Sequence, residues 1–207
     1  MNYPYMQKVM LSAFAWVAPL GLAQAVPAQF LSAKQTQGGQ SGPFSLSTTG
    51  IPTPPVGGNL IWYNGDFDGV NGLSNEDSTL APGPVGAVYD DFNVPAGPGW
   101  DVTMVFSNDL ISTTVTGATW EIRQGISNGN PGTLVASGTT MTPSVTPTGR
   151  SGFGFTEFMV LVQGLTVHLD PGTYFLNVTP IGNNDGVNRS FNSTTSGANC
   201  VGTPCGN

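Results

Sequence analysis

The chain has 207 residues, enough for one domain with terminal extensions. Only 8% of them are charged, against about 25% in an average soluble protein, and twelve acids against five bases leave a net charge of −7. Lys and Arg form no cluster, which excludes nucleic acid and anionic membrane surfaces as expected partners, since both demand concentrated positive charge.

Residues 1–25 read as a secretory signal peptide. Lys8 and the free amino group form a positive start, residues 9–22 are uncharged and mostly apolar, and Ala23-Gln24-Ala25 gives the small-x-small cleavage pattern. Val26-Pro27-Ala28 is an alternative cleavage site. The apolar run is shorter than the roughly 20 residues a spanning helix needs. Pro19 and Gly21 weaken it as a buried helix. A retained membrane anchor is the competing reading; no later segment is apolar for long enough to span. Residues 26–58, rich in Gln, Ser, Thr, Gly and Pro, read as a low-complexity linker.

Strand-and-turn patterning starts at residue 59. Residues 60–63 are a short apolar run ended by the turn dipeptide Asn64-Gly65. Residues 85–94 follow, with Tyr89 and Phe92 as expected core. Trp100, Val102, Met104 and Phe106 alternate with Asp101, Thr103 and Val105, a period of two that predicts a half-buried strand. Trp120 and Ile122 alternate with Glu121 and Arg123 over residues 118–124. Residues 133–140 form a weaker strand, residues 142–152 a polar loop rich in Pro and Thr, and residues 153–162 an apolar, central strand. Leu165, Val167 and Leu169 then alternate, Asp170-Pro171-Gly172 turns, and residues 173–179 make the last strand. About eight short strands without an amphipathic helix predict an all-β fold over residues 59–196, a jelly-roll-like β-sandwich, with a closed barrel as the alternative. Residues 197–207 form a C-terminal tail. Its Cys200 and Cys205 are expected to close a disulfide in an oxidising compartment. A zinc site would need two more ligands, and His168 is the only histidine.

Four stretches carry a family resemblance. They are residues 62–74 (WYNGDFDGVNGLS), residues 88–95 with 100–103 (VYDDFNVP and WDVT), residues 118–123 with 129–136 (ATWEIR and GNPGTLVA), and residues 169–174 (LDPGTY). Together they resemble secreted β-sandwich domains of bacterial surface proteins, the choice-of-anchor and PEP-CTERM-associated type. The resemblance spans roughly residues 59–195 and implies export and surface attachment, with no established catalytic residues. The sorting segment of that type is not seen after Ser196.

An acidic loop is the first candidate site. Six of the twelve acids lie between Asp66 and Asp91. Asn64, Asp66, Asp68 and Gly69 match the opening positions of a calcium loop, with Asn71 as a further oxygen donor. The match fails at the final position, where Asn75 stands and Glu76 comes one residue late. The alternative is plain turn structure, because Asn, Asp and Gly tolerate left-handed backbone. A glycosidase pair would require two carboxyls about 5–9 Å apart, and Glu121 and Glu157 are the candidates on strands. A Ser-His-Asp site would have to use His168, which the alternation turns to solvent. Trp62, Tyr63 and Phe67 flank the acidic loop and would serve carbohydrate if exposed; packing is the competing role. The leading expectation is an exported, non-catalytic structural or interaction module whose partner is carbohydrate or another surface protein. A calcium-assisted carbohydrate binder is the alternative, and a glycoside hydrolase stands behind both.

Overall fold

The computed structural model describes residues 59–206. The expected signal peptide (1–25) and linker (26–58) lie outside them. Eleven strands and no helix make up the described chain. They are β1 (Phe67–Ser74), β2 (Glu76–Ser78), β3 (Val85–Gly86), β4 (Asp90–Val94), β5 (Trp100–Ile111), β6 (Val115–Gln124), β7 (Thr133–Thr140), β8 (Ser144–Gly152), β9 (Phe155–Leu169), β10 (Gly172–Gly182) and β11 (Ser190–Thr195). One sheet has the order β1-β11-β5-β9-β8, the other β3-β2-β10-β6-β7, with β4 also on β10. Pairing is antiparallel except between β2 and β10. The fold is all-β and sandwich-like.

Apolar alternation builds the interior. Val102, Val105, Ile111, Val160, Val162 and Leu169 of the first sheet meet Phe92, Ala118, Trp120, Ile122, Tyr174 and Val178 of the second. Leu110, next to inward-facing Ile111, takes the other side of β5 and packs with Phe67 and Phe191 in a second cluster.

The alternation expected along β5 does not run through unbroken. The register between β5 and β9 shifts between Val102 and Met104. Beyond it Val105, not Met104 or Phe106, enters the main core. Gly164 supplies the matching irregularity on β9, with φ at +77°. Residues 155–162 and 165–169 therefore belong to one long strand rather than two, and Phe153 and Gly154 form the turn that precedes it. Residues 60–63 form no strand; only Tyr63 pairs, in a bridge with Val201.

The C-terminal residues are part of the domain. Tyr63 N donates to Val201 O at 2.9 Å and Val201 N donates back to Tyr63 O at 2.8 Å. Asp66 N donates to Ala198 O and Asn93 N to Thr203 O. Cys200 and Cys205 are joined by a disulfide within this segment. Gly65, at φ +130°, passes close to it: a Cβ there would meet Thr195 Oγ1 at 2.5 Å and Gly197 Cα at 2.6 Å.

Candidate functional site

β11 pairs with β5 only over Asp109–Ile111. The chain segment 59–65 lines a partly open cavity of 140 Å³ together with the earlier part of β5 and with residues of β4, β6, β9 and β10. Apolar side chains dominate its walls, among them Trp62, Phe92, Trp100, Met104, Phe106 and Leu161. Phe92 organises the aromatic wall: its ring lies 5.4 Å from Trp62, 5.9 Å from Trp100 in a parallel stack, and 5.7 Å from Tyr174. Asn64, Asp90 and Asn108 are polar groups on the lining. Asn64 donates to the Asp90 carboxyl. Burial pushes Asp90 up to about 7, helped by the neighbouring Asp91 charge.

A buried ion cluster lies beside this cavity. Arg150 of β8 is 2% exposed and Glu157 of β9 is inaccessible, so neither charge is screened by water. Arg150 Nε donates to Glu157 Oε2 and Nη1 to Asp66 Oδ1 at 2.7 Å. Tyr63 Oη donates to Asp66 Oδ1 at 2.7 Å, and Asn199 Nδ2 to Asp66 Oδ2 at 2.7 Å. Thr148 and Ser193 hydroxyls donate to Glu157. Burial opposes the Arg150 charge, but Glu157, Tyr63 and Asp66 outweigh it and raise its pKa. Burial, with the bond to Asp66, raises the Tyr63 hydroxyl far above its usual range. Such a cluster is stable only when every lone pair is engaged.

No family model, curated protein or solved structure matches the chain. Function therefore rests on these side chains.

The expected calcium ligands do not form a ligand set. Asp66 is committed to Arg150, Tyr63 and Asn199. Asn64 is buried against Asp90. Asp68 and Asn71 sit in a bulge of β1, where the register slips between Phe67 and Gly72. Asp68 Oδ1 accepts from Val70 N at 2.8 Å and Thr194 Oγ1 at 2.7 Å, and Asn71 Oδ1 accepts from Gly72 N at 2.9 Å. Among the described residues no three His, Cys, Asp or Glu side chains gather as a metal site. Backbone N–H groups, the Arg150 guanidinium and the Tyr63, Asn199 and Thr194 side chains engage Asp66, Asp68 Oδ1 and Asn71 Oδ1.

Glu121 and Glu157 are likewise separated. Glu121 belongs to β6 of the second sheet, where it accepts from Arg123 and Tyr89. Arg123 and Tyr89 lower its pKa against the opposing effect of burial. Burial and the same contact push Tyr89 up to about 12. Glu157 belongs to β9 of the first sheet. His168 is solvent-facing, with Nδ1 2.7 Å from Asp101 Oδ1, and that contact raises its pKa. Tyr63 and Phe67 are buried rather than displayed as a sugar platform; Trp62 packs against the core beside them.

Sequence reasoning missed the network around Asn75, which is 1% exposed. Its Nδ2 donates to Asp109 Oδ1 and to Val178 O, both at 2.8 Å, and its Oδ1 accepts from Thr179 Oγ1 at 3.0 Å and Asn177 Nδ2 at 3.2 Å. β4 pairs with β10 over residues 172–176 and β2 over 181–182, so Asn75 serves the stretch of β10 between them. Asp109 is inaccessible and also accepts from Ser107. Burial pushes it up to about 7. Asn75 carried one signal in sequence, a polar residue at the failed end of the calcium match.

Proposed function

We propose that the chain is an exported, non-catalytic structural or interaction module of the cell surface or extracellular matrix. The observation that carries the non-catalytic part is the state of Glu157. It is inaccessible and held by Arg150, Thr148 and Ser193, so a substrate has no path to it. Glu76, also inaccessible, is held by Arg189 in the same way. Each of the three arginines is spent on a carboxylate. Export is supported by the residue pattern of 1–25 and by a disulfide, which persists in oxidising compartments. The resemblance to choice-of-anchor and PEP-CTERM-associated domains points the same way.

An interaction role is favoured by the terminal strands. β7 ends one sheet and β8 the other, and the chain joins them through residues 141–143. Leu134, Val135, Met141 and Val145 are exposed along this path. Apolar surface of this kind is what a protein partner covers.

The test is fractionation of a bacterial host making the full chain, with N-terminal sequencing of the product. The mature polypeptide is expected outside the cytoplasm, starting at Val26. A cytosolic product with residues 1–25 intact, or polysaccharide turnover abolished by Glu157→Gln, overturns the reading.

A further inference from the structure

The cavity under segment 59–65 holds a mismatch between its polar groups and their partners. Trp62 Nε1 and Asn108 Oδ1 are buried without a hydrogen-bond partner, and both residues line the cavity. One is a donor and the other an acceptor. Leaving such a group dry costs on the order of 1–3 kcal/mol, and native structures seldom do so. Their neighbours are satisfied: Asn108 Nδ2 donates to Tyr63 Oη at 3.2 Å, and Asn64 donates to Asp90. The other partnerless atoms, on Asn184 and Ser190, belong to residues that do not line this space.

Size, wall chemistry and charge narrow the occupant. A volume of 140 Å³ is close to the roughly 150 Å³ apolar cavity that takes a benzene ring. The walls are mainly apolar, with a minority of polar side chains such as Asn64, Asp90, Ser107, Asn108 and Asn192, a make-up that suits a small molecule. No Lys, Arg or His lines the cavity, and Asp90 does, so an anion is disfavoured. Ordered water needs two to four polar partners for each molecule, and a space this large would hold several.

We propose that this cavity binds a small uncharged ring compound bearing a hydroxyl, with the ring against the Trp62–Phe92–Trp100 wall and the hydroxyl accepting from Trp62 Nε1. The site is independent of export and of the exposed strip on β7 and β8.

Phenol and toluene are the paired probes, titrated calorimetrically into the full chain. Phenol is expected to bind saturably and several-fold more tightly than toluene. Trp62→Phe keeps the ring and removes the donor, so the preference should fall roughly fivefold, the equivalent of one net hydrogen bond of about 1 kcal/mol. Met104→Trp fills the space and should abolish binding of both probes. Circular dichroism checks that each variant folds. Absence of saturable phenol binding to the wild type, which would mean that water alone occupies the cavity, overturns the proposal. Equal affinity for the two probes does so as well. So does unaltered binding by a folded Met104→Trp chain. The wild-type comparison decides even if a variant does not fold.

Discussion

Arg150 Nη1 donates to Asp66 Oδ1 at 2.7 Å across 84 residues of sequence. The same guanidinium holds Glu157 through Nε. One cation thus ties the segment leading into β1 to the β8–β9 pair on the far side of the first sheet. Arg150→Met would leave two carboxylates, buried or nearly so, with no cation. A cost of roughly 3–5 kcal/mol is expected, as for other buried pairs stripped of one partner. Glu157→Gln should cost less, because Arg150 keeps Asp66. Urea unfolding of the two variants measures both; a loss below about 1 kcal/mol for Arg150→Met would show the cluster to be energetically idle.

Asp109 gives the domain a pH response. Its pKa is about 7 in the folded chain and near the ordinary value of about 3.9 when unfolded. Between these values the native state holds a proton that the unfolded state releases, so stability falls as pH rises from about 4 to about 7. Above and below that window Asp109 contributes no slope. Asp90, also near 7, adds to the same trend. Asn75, Ser107 and Asn192 face Asp109 with hydrogen bonds, and Glu157 is the charge that acts on it. Asp109→Asn mimics the protonated form: Asn75 can still donate to its oxygen, and Ser107 Oγ can accept from its amide. The variant should show a shallower decline in melting temperature from pH 4 to 7 and exceed wild type at pH 7. Parallel curves for the two proteins would rule out Asp109 as the titrating group.

Two kinds of information separated the legible part of this fold from the rest. β6 and β10 are visible because their apolar residues recur with period two and turn residues bound them, whereas β7, with Leu134, Val135 and Ala136 in a row, gives only a weaker signal. β8 was hidden, since Pro147 and a run of Thr, Ser and Gly read as a loop. It is tolerated as a strand because β8 ends its sheet and pairs on one side only. β1 was hidden for a related reason: it too is an end strand, and its Asp68–Asn71 bulge looks like a ligand loop when read linearly. The acids of the candidate site were legible as a cluster, but their partners were not. Arg150, Thr194 and Asn199 come from distant sequence, and local spacing carries no trace of such long-range pairing.

Calcium should leave the protein unchanged. Arg150 already balances Asp66, and an arriving ion would have to break that pair before gaining a ligand. Asp68 is turned to Val70 N and Thr194. A ligand selective for the native state raises its melting temperature by mass action. Melting curves with saturating calcium and with chelator are therefore expected to coincide. A calcium-dependent rise that Asp66→Asn or Asp68→Asn removes would restore the ion to this loop.

The disulfide closes a short loop, but that loop sits where the two ends of the described residues meet. Cys200–Cys205 encloses Val201, which bridges Tyr63, and Thr203, whose carbonyl accepts from Asn93 N of β4. Loop-closure entropy for so few residues gives about 2 kcal/mol. For a domain of this size that equals roughly 4–8 °C in melting temperature. Cys200→Ser with Cys205→Ser should lower the midpoint by that amount. Because the loop clamps segment 59–65, amide exchange at Tyr63 and Asn93 should accelerate before that of core β9 amides such as Val160. Uniform acceleration across Tyr63, Asn93 and Val160 would mean that the bridge acts only on global stability and does not hold the segment in place.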